Sequence, residues 1–181
     1  HRVDRRQRQM CIRDSVAAAA DHLAIAGADL ATTVLAEGRR SRLIERLRED
    51  LQIVETIDMD VTTLEQGSLV MLEACCPEEQ VEAVEQEVHR QLQRTLSEPI
   101  TAEEFDRALQ LVGNGHRFSL EAPSAVAASV GAQTLWGRQR DLLAPLEDLM
   151  QWDAAALSAG VMPLLQPQNA FTLIARPEET A

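Results

Sequence analysis

Tyrosine and lysine are both missing from this 181-residue chain, and aromatic residues make up only 3% of it. Proteins that hold single-stranded nucleic acid stack its bases on aromatic side chains, so the composition argues against that role. All positive charge comes from 17 Arg, set against 29 Asp and Glu, for a net charge of −12. So acidic a body repels phosphate backbones and anionic lipid surfaces, and neither nucleic acid nor membrane is an expected partner. No apolar run approaches the ~18 residues needed to span a bilayer. Cysteine is scarce, at three residues. Two of them, Cys75 and Cys76, are adjacent, and neighbouring residues rarely reach disulfide geometry. The pattern is not a disulfide framework, and a reducing, cytoplasmic compartment is expected.

What remains is ordinary globular material, with 45% hydrophobic and 25% charged residues. The length suits one domain with a sizeable core. Residues 1–15 stand apart. They hold five Arg against two Asp, a charge of +3, which leaves −15 for residues 16–181. No long apolar segment follows this basic start, so it is not a secretory signal. Its RQRQMCIRDS stretch looks like translated sequencing-adaptor sequence. Residues 1–15 are therefore read as a non-native leader outside the fold. Residues 16–181 are read as the domain, with its own amino-terminal part lost.

Helical spacing of Leu23, Gly27, Leu30 and Val34 marks a helix over 16–36, ended by Gly38. A shorter helix follows over 39–50. Residues 51–60 and 68–76 are β-prone and read as two antiparallel strands. Pro77, Glu78 and Glu79 open a long helix to about residue 97. Thr101 and Glu104 have the spacing of a capping box before a helix to about residue 121. Further helices are expected over 124–137, 143–151 and 154–165, the last capped by Asp153. A final strand is expected over 170–176. The class is α+β, a mainly antiparallel sheet packed against several helices. Three strands are few for a stable sheet, which points to strands missing upstream, in keeping with a lost amino-terminal part.

Chemistry is hard to find. A zinc peptidase helix needs two His on one face with carboxylates nearby. The four His, at positions 1, 22, 89 and 116, are too far apart for either His-Glu-x-x-His or its inverse. Glu85, Glu87 and His89 spread around a polar helical surface and make no metal site. Gly113-Asn114-Gly115 falls inside a helical pattern, where packing explains glycine better than a phosphate loop does. Cys76 precedes a helix start but has no base beside it. No Gly-x-Ser-x-Gly elbow exists.

One segment breaks the acidic pattern. Arg39, Arg40, Arg42, Arg46 and Arg48 lie within ten residues. On a regular helix Arg39, Arg42 and Arg46 form a stripe, and Leu43, Ile44 and Leu47 face the core. Arg48 falls at the margin of that apolar face, where a guanidinium needs an assigned acceptor, either a ligand or a structural partner. On the next strand Ile53, Glu55, Ile57 and Met59 share a face, and Glu55 interrupts it. Either this strand is an edge strand carrying a protective charge, or its face lines a wet cavity. An ion pair between Arg48 and Glu55 fits both.

These residues resemble the pitrilysin/insulinase family of zinc peptidases, in the carboxy-terminal half that binds no metal. Gly38 through Leu43 and Arg46 through Glu49 are similar to its Gly-rich turn and Leu-Arg-Glu helix. Phe118 through Ser124 resembles its Phe-Ser-Leu-Glu-Ser-Pro junction, and Pro167 through Pro177 its last strand. The resemblance implies two homologous α/β domains forming half a clamshell. The companion domain or partner subunit would hold zinc and His-x-x-Glu-His, with no cofactor in this chain. It also implies substrate binding through an Arg, matched by Arg48, and a Tyr seven residues later, where this chain has Glu55. An ionised carboxylate cannot donate a hydrogen bond as a phenol does. The implied role is a substrate-side domain that binds peptides, possessing no catalytic residue of its own and dimerising with an active sibling. The alternatives are a structural scaffold of a larger complex and an unrelated α+β regulatory domain.

Overall fold

A computed structural model describes residues 6–135 and 137–175, apart from 13–17, with only the backbone over 6–12. Strand β1 is Arg6–Ile12, helix α1 is His22–Ala36, and a π-helical segment spans Ile44–Asp50. Strands β2 (Thr56–Thr63) and β3 (Ser68–Cys76) follow. Helices α2 (Val81–Ser97), α3 (Ala102–Ser119) and α4 (Pro123–Leu135) come next. Two short helices, α5 (Ala144–Leu149) and α6 (Ala154–Gly160), precede β4 (Ala170–Ile174). The expected last residue of β4, Arg176, lies outside the described residues.

The strands form one sheet in the order β2-β3-β1-β4, and every neighbouring pair is antiparallel. Residues 1–15 are expected to lie outside the fold, yet the backbone of Arg6–Ile12 pairs with β3 on one side and β4 on the other. An unpaired flank of β3 would present a row of open N–H and C=O groups, and β1 covers it. Residues 1–5 and 13–17 of that leader lie outside the described residues.

The core follows from alternation. Ile57 and Met59 of β2 and Val70, Leu72, Ala74 and Cys76 of β3 are buried on one sheet face. Their register pairs Ile57 with Ala74 and Met59 with Leu72. The opposite face pairs Asp58 with Glu73 and Asp60 with Met71. Helices cover the apolar face: Leu30, Val34 and Leu35 from α1, Val84, Val88 and Leu92 from α2, and Phe105 and Ala108 from α3 join one core. The expected capping box is present. Thr101 Oγ1 accepts from Glu104 N at 3.2 Å, and Glu104 Oε2 accepts from Thr101 N at 2.9 Å. Asp153 likewise caps α6, accepting from Ala156 N at 2.7 Å. No described helix is long and apolar enough to cross a membrane.

Gly27 shows how tightly α1 is fitted. A Cβ there would lie 2.5 Å from Trp152 Cζ2 and 2.7 Å from Cε2. The indole cannot swing away freely, because its Nε1 donates to Leu23 O at 2.9 Å. Gly27→Ala should therefore lower stability by about 1–3 kcal/mol through overpacking, despite the ~1 kcal/mol that Ala contributes to an unstrained helix. Thermal denaturation should show a fall of several degrees, about 2–4 °C per kcal/mol at this size. An unchanged or raised melting temperature would mean that the Trp152 contact gives way at no cost.

Candidate functional site

The Arg-rich segment begins where α1 ends. Gly38 takes φ +79, a left-handed conformation suited to glycine, and turns the chain out of α1. Ser41 Oγ donates to Gly38 O at 2.7 Å and steadies the turn. Residues 44–50 then wind as a π-helix rather than the regular helix that the spacing suggests. Leu51 N donates to Arg46 O, five residues back, at 3.1 Å, and Ile53 N reaches Leu47 O at 3.0 Å. Each turn is widened by about one residue, which redistributes the side chains. Leu43, Ile44 and Leu47 are buried as expected.

The expected stripe of Arg39, Arg42 and Arg46 disperses to separate acceptors. Arg39 pairs with Glu49 at 2.7 Å, both near solvent. Arg42 makes two bonds to Glu104, at 2.6 and 2.8 Å, and two more to Glu98 O and Pro99 O. Arg46 reaches Glu87 at 2.9 Å. Glu87 itself is buried, and also accepts from Arg90 and from Gln91 at 2.7 Å. Burial pushes the Glu87 carboxyl up, but the hydrogen bonds from Arg46 and Gln91 and the nearby guanidinium charges hold it below the usual carboxylate range. A cleft of about 370 Å³ lies over this network, lined by Arg42, Arg46, Gln91, Arg94, Glu98 and Glu104 among others. Its three guanidiniums each face a carboxylate, so it holds little uncompensated charge for a ligand.

Arg48 and Glu55 are placed differently from the sequence expectation. Arg48 is exposed near the end of the π segment; among the described residues its guanidinium makes no hydrogen bond, and its charge acts on the neighbouring Glu49. The π winding turns it away from the apolar margin that a regular helix would give it. Glu55 does not interrupt an inward apolar row, because β2 begins only at Thr56. Val54 is buried and Glu55 exposed, with Glu55 N donating to Cys75 O at 2.7 Å. Between them and Arg48, Gln52 adopts φ 54, the left-handed region that non-glycine residues seldom enter. Two exposed polar residues thus flank a backbone that departs twice from regular geometry.

A second cleft, of about 300 Å³, was not evident from the sequence. Asp29, Thr32, Thr33 and Glu37 of α1 and its cap line it, with Asp60 of β2 and Gly115 of α3. Burial, and then the negative charge of Asp60, push the Asp29 carboxyl up to about 6. The signal was available, since Asp29 is the one carboxylate in a mainly apolar α1.

A zinc site does not fit the described residues. His22, His89 and His116 belong to α1, α2 and α3, and no group of three or more His, Cys, Asp or Glu is placed to hold an ion. His1 lies outside the described residues.

Comparison with known proteins gives this arrangement a context. Residues 3–112 match a family model described as the peptidase M16 inactive domain. The fold is similar to the inactive peptidase domain of a proposed zinc protease from Bordetella parapertussis, with TM-score 0.87 at 18% identity over 100% of this chain and 95% of that one. It is similar to a peptidase M16 inactive domain from Pseudomonas fluorescens, with TM-score 0.81 at 15% identity over 98% of this chain and 42% of that one. A chain of complex III2 from Candida albicans matches with TM-score 0.72 at 14% identity, over 96% of this chain and 43% of that one. No curated protein sequence matches.

Proposed function

The chain belongs to the M16 peptidase family, as its inactive domain, and on that premise we propose that it is the substrate-side unit of a zinc peptidase system. It binds an extended peptide and helps to enclose it. The zinc, and the activated water it supplies, belong to a homologous companion domain or partner subunit. The observation that carries this reading is the rim from Arg48 to Glu55. π segments and left-handed non-glycine residues cost stability and gather where a chain binds or reacts. Here both occur in one short stretch, between an exposed guanidinium and an exposed carboxylate.

Arg48 can donate to peptide carbonyls, and Glu55 can accept from peptide N–H groups or a basic side chain. β2 starts beside Glu55 and is an outermost strand of the sheet. A peptide lying along it would use the chemistry of strand addition, with side-chain contacts at alternate positions. The net charge of −12 favours basic peptides.

The test is binding of a labelled basic peptide of about 20 residues, followed by anisotropy. A hydrogen bond from a charged donor contributes about 1.5–3 kcal/mol, so Arg48→Ala should weaken binding roughly 10- to 100-fold. Unchanged affinity in Arg48→Ala, in a chain that still melts cooperatively, would sink the peptide-binding reading. A second reading, a structural scaffold within a larger complex, is favoured by the match to the complex III2 chain. It expects no peptide binding by either form.

A further inference from the structure

The free edge of β2 and the cleft beside Asp29 are one place. β2 is outermost in the described sheet, so its second flank meets no strand there. Leu64 N donates to Gly67 O at 2.8 Å and closes the hairpin to β3. Bonded and unbonded pairs alternate along an antiparallel ladder. Counted back from Leu64 in the register, Asp58, Asp60 and Thr62 turn their N–H and C=O towards β3, and Met59 and Val61 turn theirs to the open flank. The cleft of about 300 Å³ is lined by these same residues, Met59, Asp60 and Val61. Met59 is buried under the sheet and Asp60 is exposed on its other face. A cleft that touches both abuts the edge of the strand, not one of its faces.

The walls of the cleft suit a long basic side chain. Leu111 and Val112 of α3 give it an apolar side, and Gly115 adds no side chain to fill it. Its volume is at the small end of the roughly 300–1,000 Å³ of ligand pockets, room for one side chain. Asp29 and Asp60 supply negative charge. Among the described residues no hydrogen bond reaches the Asp29 carboxylate, and the charge that acts on it is that of Asp60, of like sign. Glu37 is different, since its Oε2 accepts from Thr33 Oγ1 at 3.0 Å. Arg107 approaches this end of α1 but donates to the carbonyls of Glu37 at 2.7 Å and Val34 at 3.5 Å, and it does not line the cleft.

Resting on the reading that an extended peptide lies along β2, we infer that this cleft is its specificity pocket and takes one arginine side chain of the peptide between Asp29 and Asp60. The peptide backbone bonds to the open groups of Met59 and Val61, as an added strand does. The side chain that faces the cleft lays its aliphatic stem on Leu111 and Val112. Its planar guanidinium brings a fork of donors to the carboxylates. The pair gives Asp29 the counter-charge that its own chain does not provide. A half-buried carboxylate without one costs stability, and such groups gather where a ligand completes them. Side chains alternate along an added strand, so the preference is for one Arg at one position, narrower than the attraction of an acidic body for any basic peptide.

The test compares two labelled peptides by anisotropy at neutral pH, beside the basic peptide already described. One is neutral apart from a single central Arg. The other has citrulline there, which keeps the shape and loses the charge. The native chain should bind the Arg peptide roughly tenfold or more tightly than the citrulline peptide. Asp29→Asn should bring the two affinities within about threefold of each other, in a chain whose circular dichroism shows the native fold. Arg48→Ala should weaken both peptides alike and keep their ratio. A native chain that binds the basic peptide but does not tell Arg from citrulline overturns this inference alone. So does a preference for Arg that survives in Asp29→Asn, because its pocket lies elsewhere. Failure of every peptide to bind, the basic one included, overturns the peptide-binding reading and this inference with it.

Discussion

Replacing Glu104 with Gln should cost the fold about 1.5–3 kcal/mol at neutral pH, one of the largest losses expected for a single polar substitution in this chain. One carboxylate serves two structures. It closes the capping box with Thr101 at the start of α3. It also receives two bonds from Arg42, tying the residues that lead into the π segment to a helix 62 residues away in sequence. The pair is largely withdrawn from water, with side chains 16% and 22% exposed. Removing the carboxylate charge leaves Arg42 with the Glu98 charge and the carbonyls of Glu98 and Pro99 but without its two-bond partner. Gln retains most of the side chain's shape, so the loss reports charge and hydrogen bonding rather than a cavity.

The same residue sets an acid limit. Burial pushes the Glu104 carboxyl up, but bonds from Arg42 and Thr101 and the Arg42 charge outweigh it and hold the group at about 2. The unfolded value is 4.5. Between those values the unfolded chain binds more protons than the folded one, so stability falls as the solution is acidified. The contribution, about 1–2 kcal/mol once solvent screening at this part-exposed group is allowed for, is full above the unfolded value and lost as pH falls through the folded one. Urea unfolding midpoints of the native chain should drop across that range. Those of Glu104→Gln should drop much less, and parallel curves for the two would show that Arg42 does not hold this carboxylate.

Local rules were legible wherever the cause was local. The capping box, the Asp153 cap and the end of α1 just before Gly38 each depend on a few neighbouring residues and appear as expected. The antiparallel pairing of β2 and β3 also follows from the pattern, although β2 begins at Thr56 rather than near Leu51. That offset comes from the π segment. A hydrophobic pattern such as Leu43-Ile44-Leu47 fits both a regular helix and a wider one, and only the hydrogen bonds to residues five and six back distinguish them. The faces of Arg48 and Glu55 depended on that choice, so both were misplaced. Arg46 shows the same limit at longer range. Its partner Glu87 is buried on α2, and nothing near either residue announces the pairing. β1 was missed because composition, rather than pattern, set its segment aside. Its place between β3 and β4 is a non-local fact.

Asp29→Asn should act in the opposite direction from Glu104→Gln and stabilise the chain at neutral pH. Asp29 is half-buried on α1, and no hydrogen bond to its carboxylate offsets the burial among the described residues. Asp60 adds negative charge from β2. The carboxyl therefore titrates at about 6 in the fold and near 3.8 when unfolded. Between those two values the folded chain binds more protons than the unfolded one, so stability falls as pH rises. Above that window the ionised form costs up to about 3 kcal/mol. Asn matches the shape of the protonated acid and carries no charge, so it removes this cost. Melting temperatures of the two chains should nearly coincide below the window, diverge through it, and differ by up to about 6–12 °C above it. A constant difference at every pH would assign the gain to packing. A lower melting temperature for Asp29→Asn at neutral pH would show that the cleft stabilises the ionised carboxylate. The position thus holds a destabilising charge that local packing alone does not call for.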